Sequence, residues 1–312
     1  MLKISNISKE FGKNNKKVQA LNHINLQVDK GEIVCILGHN GAGKTTLIKC
    51  ISGLIIPTSG EITIDSESVI KNSNIPKNKV GAVLEGSRNI YYYLTPRENL
   101  KYFGLLNNLS KREIEERTEY YLNLFDLKNR ENDMVKQFSR GMQQKVAIMV
   151  ALMKEPDILL LDEPTLGLDI ISSSIVKNII KELSEKSNKT IIITTHDVRL
   201  IENLDSRVVF MKEGRLVKDD YLSNLKNIIG QEDIYELVIT EQSFKRQMNE
   251  LIETDYQVID NRENLIIINT TSKKWIAQNI DSLDIININK KEYDFEAIYR
   301  RILEEGAINE KP

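Results

Sequence analysis

Gly38-His39-Asn40-Gly41-Ala42-Gly43-Lys44-Thr45 fits the P-loop pattern G-x-x-x-x-G-K-[ST]. Each residue type there answers a need of a bound phosphate. Glycines let backbone N–H groups turn inward on phosphate oxygens with no Cβ in the way. A helix that follows them adds about half a positive charge at its N-terminus. The Lys44 ammonium can reach β- and γ-phosphates, and the Thr45 hydroxyl can turn to Mg2+. A second pair of candidates, Asp162-Glu163, ends the apolar run Ile158-Leu159-Leu160-Leu161. Asp162 could hold Mg2+ through water, and Glu163 could polarise an attacking water as general base. His196 follows Thr194-Thr195, and one of its ring nitrogens could donate to a γ-phosphate oxygen. Singly, these are also a glycine turn, a polar strand end and a surface histidine. Together and in context they favour phosphate chemistry.

The elements around them must supply a common crevice. Ile33-Val34-Cys35-Ile36-Leu37 lies between Gly31 and Gly38 and reads as a strand buried on both faces. A helix follows from Lys44 to Cys50, stopped by Gly53 and Pro57. Strands are expected over 158–161 and 190–194, with Ile175, Ile179, Ile180 and Leu183 marking a helix between them. Strand–helix–strand order at this length implies a parallel sheet with right-handed crossovers. Groups at the carboxyl ends of such strands face one ligand crevice. Residues 208–217 look like a closing hairpin around Glu213-Gly214. Between about 87 and 154 the pattern is helical: Thr95-Pro96-Arg97-Glu98 and Ser110-Lys111-Arg112-Glu113 are capping boxes, and a third helix starts near Ser139. From about 231 short strands and helices interleave as βαββαβ with a last helix near 295–304, a small α+β unit. Asn14-Asn15, among lysines, reads as a solvated turn.

Composition narrows the function classes. The 312 residues allow roughly two domains. With 43 basic against 45 acidic residues, the net charge of −2 argues against a nucleic-acid or anionic-membrane coat, and no nucleic-acid partner is expected. Two cysteines, Cys35 and Cys50, make no disulfide framework and suit a reduced, cytoplasmic setting. The longest apolar run, Val146–Met153, is far short of the about 20 residues of a bilayer span. Any membrane role would go through a partner.

The ordered set GHNGAGKT, FSRGMQQK, ILLLDEPTLGLD and TTH resembles the ATP-binding cassette ATPases of ABC transporters. The resemblance covers about residues 2–220 and implies an α/β P-loop cassette. Such a cassette has a parallel-sheet core, an antiparallel β subdomain and a helical subdomain over about 87–154. It would occupy 1–225, with a C-terminal α+β accessory domain over 231–312. The family's chemistry is ATP hydrolysis with Mg2+. The resemblance implies that Gly38, His39, Asn40, Gly41, Ala42, Gly43, Lys44, Thr45 and Thr46 bind ATP. Lys44, Glu163 and His196 would be catalytic, and Thr45, Asp162 and Glu85 would face the metal. It also implies a homodimer or paired cassettes, head to tail. Ser139, Arg140, Gly141, Met142 and Gln143 of one copy would then meet ATP held by the other, and Asp169 would lie in the loop joining the two sites. Phe11 takes the place of an adenine-stacking aromatic, or is simply a core phenylalanine.

Two residues depart from the family pattern. Glu85 stands where glutamine is usual, adding negative charge near a triphosphate. Arg140 stands where glycine is common, either facing solvent or aimed at the partner's γ-phosphate. The C-terminal extension and Leu84–Asn89 resemble cassettes of bacterial drug or peptide-antibiotic exporters. An exporter subunit, peripheral on the inner face of the membrane through a separate permease, is the expectation. Tyr91-Tyr92-Tyr93 would either fill the helical subdomain or form a socket for that permease. A soluble ABC-type switch acting on ribosomes or DNA is the alternative, and a small-molecule kinase is a third class. The single cassette without sustained heptads speaks against the switch, and FSRGMQQK against the kinase.

Overall fold

Leu2 and Ile4 alternate with Lys3 and Ser5, the period of a strand with one covered face. The chain accordingly opens with β1 (Leu2–Phe11), paired antiparallel with β2 (Val18–Val28). The computed structural model describes residues 1–12, 17–86, 89–201, 204, 206–229, 234–247, 256–262 and 264–291. They fall into two compact units, Met1–Leu222 and one that begins at Ser223. The Asn14-Asn15 turn lies outside the described residues.

In the first unit β3 (Ile33–Leu37), buried at every position, leads through the glycine loop into α1 (Lys44–Ile51). β4 (Ser59–Ile64) and β5 (Glu67–Ser68) extend the antiparallel sheet, whose order is β2-β1-β4-β5. After α2 (Asn74–Lys79) comes β6 (Val80–Val83), and then three helices: α3 (Pro96–Leu106), α4 (Lys111–Leu124) and α5 (Arg140–Leu152). β7 (Ile158–Asp162), α6 (Ile170–Ser187), β8 (Thr190–Thr195), α7 (Val198–Ile201), β9 (Arg207–Lys212) and β10 (Arg215–Tyr221) complete the unit. The second sheet has the order β10-β9-β3-β8-β7-β6, parallel except for β10 at its edge.

One apolar core joins the two sheets through α1. Leu2, Ile4 and Ile7 of β1, Ile36 of β3 and Leu160 of β7 cluster with Leu47, Ile48 and Ile51 of α1. Full burial of each such side chain stabilises by about 1.5–3 kcal/mol. The helix that begins at Lys44 is therefore clamped from both sides.

Both expected capping boxes form, with Thr95 Oγ1 accepting from Glu98 N and Ser110 Oγ from Glu113 N. Two polar side chains hold these helices from inside. Asn99, fully buried, accepts from Tyr91 N at 2.7 Å and donates to the carbonyls of Tyr91 and Thr95, both at 3.0 Å. Lys145 donates to the Phe125 carbonyl at 2.8 Å, and burial pushes its ammonium below the usual lysine range. Arg97 binds Glu115, Glu119 and Glu131 together, tying the start of α3 to α4 and to the loop after it.

α8 (Leu222–Ile229) starts on the last residue of the first unit and runs into the second, which has a βαββαβ run: β11 (Ile234–Thr240), α9 (Glu241–Gln247), β12 (Gln257–Arg262), β13 (Leu265–Thr270), α10 (Lys273–Asn279) and β14 (Ile285–Lys291). Its antiparallel sheet has the order β12-β13-β11-β14. Alternation in β11 and β13 turns Leu237, Ile239, Ile266 and Ile268 onto Phe244 of α9 and Trp275 of α10. The last expected helix, near 295–304, lies outside the described residues. No helix among the described residues is long and apolar enough to cross a membrane.

Candidate nucleotide site

The P-loop bends where only glycine is at ease. Gly43, at the N-cap of α1, has φ +105°, and a Cβ there would stand 2.4 Å from the Ala20 carbonyl. Gly38 is as tight: a Cβ would meet the Met211 carbonyl at 2.4 Å. Neighbouring strands thus press the loop into shape. His39, Asn40 and Gly41 are exposed, Ala42 is buried, and Thr46 is half-buried on the first turn of α1. His39 Nδ1 lies 2.8 Å from the Asn40 carbonyl.

Lys44 is the central cation. Its side chain is only 6% exposed. Its ammonium donates to the carbonyls of Gly38 at 2.7 Å and His39 at 3.3 Å, and stands 3.3 Å from Glu163 Oε1. Two of its three donors thus go to carbonyls, with the carboxylate as ion-pair partner. The other Glu163 oxygen, Oε2, lies 3.0 Å from His196 Nδ1. Glu163 itself is 7% exposed and His196 44%.

Backbone register explains this convergence. β7 and β8 pair in parallel with Asp162 opposite Thr194, and the Glu163 N–H continues the ladder to the Thr194 carbonyl at 2.9 Å. Glu163 then adopts φ +50°, a left-handed conformation that costs an ordinary side chain about 1 kcal/mol or more. The strand ends there, and the side chain meets Lys44. Beyond β8, the Thr195 hydroxyl accepts from Asp197 N at 2.9 Å, which fixes the turn carrying His196.

Asp162 is 2% exposed. Its Oδ1 accepts from the hydroxyls of Thr45, at 3.2 Å, and Thr194. Its Oδ2 is buried without a partner among the described residues. A bare buried carboxylate oxygen beside a P-loop hydroxyl suits a hydrated divalent cation, whose waters donate. Among the described residues no group of three His, Cys, Asp or Glu side chains could hold a metal by itself. Phosphate oxygens and water would have to complete any such shell.

The remaining expected residues lie elsewhere on the unit. Ser139 is the exposed N-cap of α5, its Oγ accepting from Met142 N at 3.3 Å. Arg140 is exposed. Its guanidinium lies along Gly167, where a Cβ would come 2.8 Å from Nη1. Gly141 is buried against Ser172 of α6, whose Oγ would stand 2.5 Å from a Cβ. Met142 is half-buried. Gln143 turns inward, its amide donating to the carbonyls of Phe138 at 3.1 Å and Val135 at 3.4 Å. Asp169 caps α6, accepting from the Ser172 amide and hydroxyl, both at 2.8 Å, and these bonds hold its carboxyl below the usual range. Phe11 is 41% exposed at the end of β1, with the Lys9 ammonium 5.1 Å from its ring centre, so it is not a core residue. Glu85 is exposed in the turn after β6, two residues past Val83, which pairs with Leu161. Among the described residues, hydrogen bonds and ion pairs link the P-loop to Asp162 and Glu163, and none links it to Ser139–Gln143.

A family model described as "ABC transporter" matches residues 21–166. The ATP-binding protein NatA of Bacillus subtilis (strain 168) is 38% identical over 234 residues, 75% of this chain and 95% of that protein. The chain belongs to the ABC transporter ATPases. It is an ATP-binding and ATP-hydrolysing cassette subunit. The methionine import ATP-binding protein MetN 1 of Bacillus cereus (strain ATCC 10987) is 34% identical over 229 residues, 72% of this chain and 66% of that protein. Among solved structures, the dimeric post-hydrolysis state of the cassette MJ0796 bound to ADP and Pi matches with TM-score 0.64 and 31% identity. That match covers 71% of this chain and 99% of the other. The cassette's sequence motifs thus fall on the P-loop, the ends of β7 and β8, and the start of α5. Thr194, Thr195 and Asn99 emerged only from the structure. The two threonines were visible as a polar pair ending an apolar strand, with nothing to say which side chain they would touch.

Proposed function

We propose that two copies of this cassette close head to tail around two ATP molecules and drive a separate membrane permease. The observation that carries the reading is the split of the motif residues. Lys44, Thr45, Asp162, Glu163 and His196 form one connected cluster, whereas Ser139 and Arg140 stand exposed at the start of another helix. A site completed by a second copy uses both surfaces. The solved relative MJ0796 is itself dimeric with ADP and Pi.

In this reading the P-loop amides and Lys44 bind the β- and γ-phosphates, and Phe11 stacks on adenine. Mg2+, when bound, would neutralise phosphate charge, with Thr45 and the water-linked Asp162 as its protein side and Glu85 near it. Phosphate must take Lys44 from Glu163, which frees the carboxylate to accept a proton from the attacking water. His196 then follows. A neutral imidazole has one N–H, and donation from Nδ1 to Glu163 leaves Nε2 an acceptor. Loss of that contact lets the ring present its N–H to the γ-phosphate.

The permease would dock on the aromatic surface of the helical part. Tyr91, Tyr92, Tyr93 and Tyr102 are exposed, with Leu105 and Leu106 beside them on α3. Tyr91 and Tyr102 meet edge to face at 4.8 Å. Six large apolar side chains in one exposed region suit a protein partner better than water. Such docking would place the subunit on the inner face of the membrane. Export is the proposed direction, supported by the resemblance of the second unit and Leu84–Asn89 to exporter cassettes. The likeness to a protein named for methionine import favours the opposite, and transport into or out of inverted vesicles decides it.

Mixing two inactive variants tests the shared site. Lys44→Ala removes the phosphate side and Ser139→Arg the opposing side. An equal mixture forms about half mixed dimers, each with one intact site, and regains about a quarter of the parent's turnover. Recovery of none would mean that each copy works alone.

A further inference from the structure

Asp162 has an unequal pair of oxygens. Oδ1 receives two hydroxyl donors, Thr45 and Thr194, while Oδ2 is buried and bare. A carboxylate turns about its Cβ–Cγ bond, so the donors on one oxygen decide where the other stays. Thr45 alone is a poor anchor, because its hydroxyl belongs to the P-loop helix and is the group that would turn to a metal. Thr194 is different. It is fully buried on β8, directly opposite Asp162 in the parallel register. Its hydroxyl holds Asp162 Oδ1, and its backbone carbonyl holds the Glu163 N–H at 2.9 Å. One strand residue thereby holds the Asp162 carboxylate and the backbone of Glu163.

We propose that Thr194 is a positioning residue of the metal–nucleotide site: its buried hydroxyl clamps Oδ1 of Asp162 and keeps Oδ2 bare for the water shell of Mg2+. The inference rests on the reading of Asp162 as the water-linked metal residue. Packing alone does not explain a threonine here. Valine has the same branched shape, suits a buried parallel strand, and leaves no hydroxyl to satisfy. Thr195, next in sequence, has another task, since its hydroxyl accepts from Asp197 N.

The test is binding of a non-hydrolysable ATP analogue to the full chain, titrated in EDTA and then against Mg2+. The proteins are the parent, Thr194→Val, Thr194→Ser and Asp162→Asn. Loss of an outer-shell partner weakens metal affinity by about tenfold to a hundredfold. Thr194→Val is therefore expected to need that much more Mg2+ for half its effect, with affinity in EDTA within about twofold of the parent. Thr194→Ser restores the parent's response, because it keeps the hydroxyl. If Thr194→Val does not fold, Thr194→Cys is held to the same criterion. An unchanged Mg2+ response in Thr194→Val overturns the proposal. So does an equal loss of binding with and without Mg2+, which marks packing damage, or a failure of serine to rescue. Asp162→Asn separates the two levels. If it keeps the parent's Mg2+ response, the reading of Asp162 falls and takes this proposal with it. If it loses that response while Thr194→Val keeps it, only the role of Thr194 falls.

Discussion

Glu163→Gln should do two things at once, and their combination is diagnostic. The first follows from its proposed role as general base: ATP turnover falls by about 10²–10⁴-fold. The second follows from the ion pair with Lys44. At 3.3 Å and an effective dielectric constant of about 20, the pair attracts with roughly 5 kcal/mol. A γ-phosphate arriving at Lys44 must break that contact and then sit beside a carboxylate. Much of the gross attraction is offset, because both partners gave up water to form the pair. A net saving of about 1.5 kcal/mol on neutralising Glu163 is a conservative remainder. That makes ATP binding about tenfold tighter. The assay is calorimetric titration of ATP in EDTA, where neither protein turns over. The gain should persist at raised salt, since the pair is buried and poorly screened. Equal or weaker ATP binding by Glu163→Gln would show that Lys44 is not held by Glu163 before nucleotide arrives.

Asn99→Ala removes three hydrogen bonds from a fully buried position and strands the Tyr91 N–H, while the carbonyls of Tyr91 and Thr95 keep the amides of Leu94 and residue 99. A loss of about 2–4 kcal/mol in chemical denaturation is expected, and a loss under 1 kcal/mol would refute the account. Asp65 sits 2.6 Å from the Lys79 ammonium, which holds its carboxyl well below the usual range. A depressed folded pKa means stability that is present above the unfolded value of about 4 and lost as pH falls through it toward the folded one. Asp65 has φ +50°, which asparagine tolerates, so Asp65→Asn isolates the charge. It should cost about 1 kcal/mol at pH 7, and the difference from the parent should shrink below pH 4 in urea melts. A difference that does not change with pH would assign the effect to something other than the ion pair.

The cassette motifs were legible because each is contiguous in sequence and its residue types suit one job. Gly38–Thr45, Asp162-Glu163 and His196 needed only the rule that parallel strands end at a common crevice. The βαββαβ order of the second unit was legible because short apolar runs such as Leu265–Ile268 interleave with helical pieces, while the alternate burial along β13 shows only in the structure. What escaped depends on register. Nothing in Thr194-Thr195 says which hydroxyl turns toward Asp162, because that follows from the offset of β8 against β7. Asn99 carries no signature in the sequence, because its value comes from the Tyr91 backbone folding over it. Gln143 was grouped with the residues facing a partner, yet its amide is spent on its own loop. The contact of His196 Nδ1 with Glu163 likewise follows from the turn after β8 and has no signature in the sequence.

The contact of Gly141 with Ser172 has a mechanical meaning. With no room for even a methyl group between them, the starts of α5 and α6 cannot slide past each other without a clash. The same contact sets the start of α5 against the first turn of the helix that Asp169 caps. Enlarging Gly141 would jam that contact long before it touched any nucleotide.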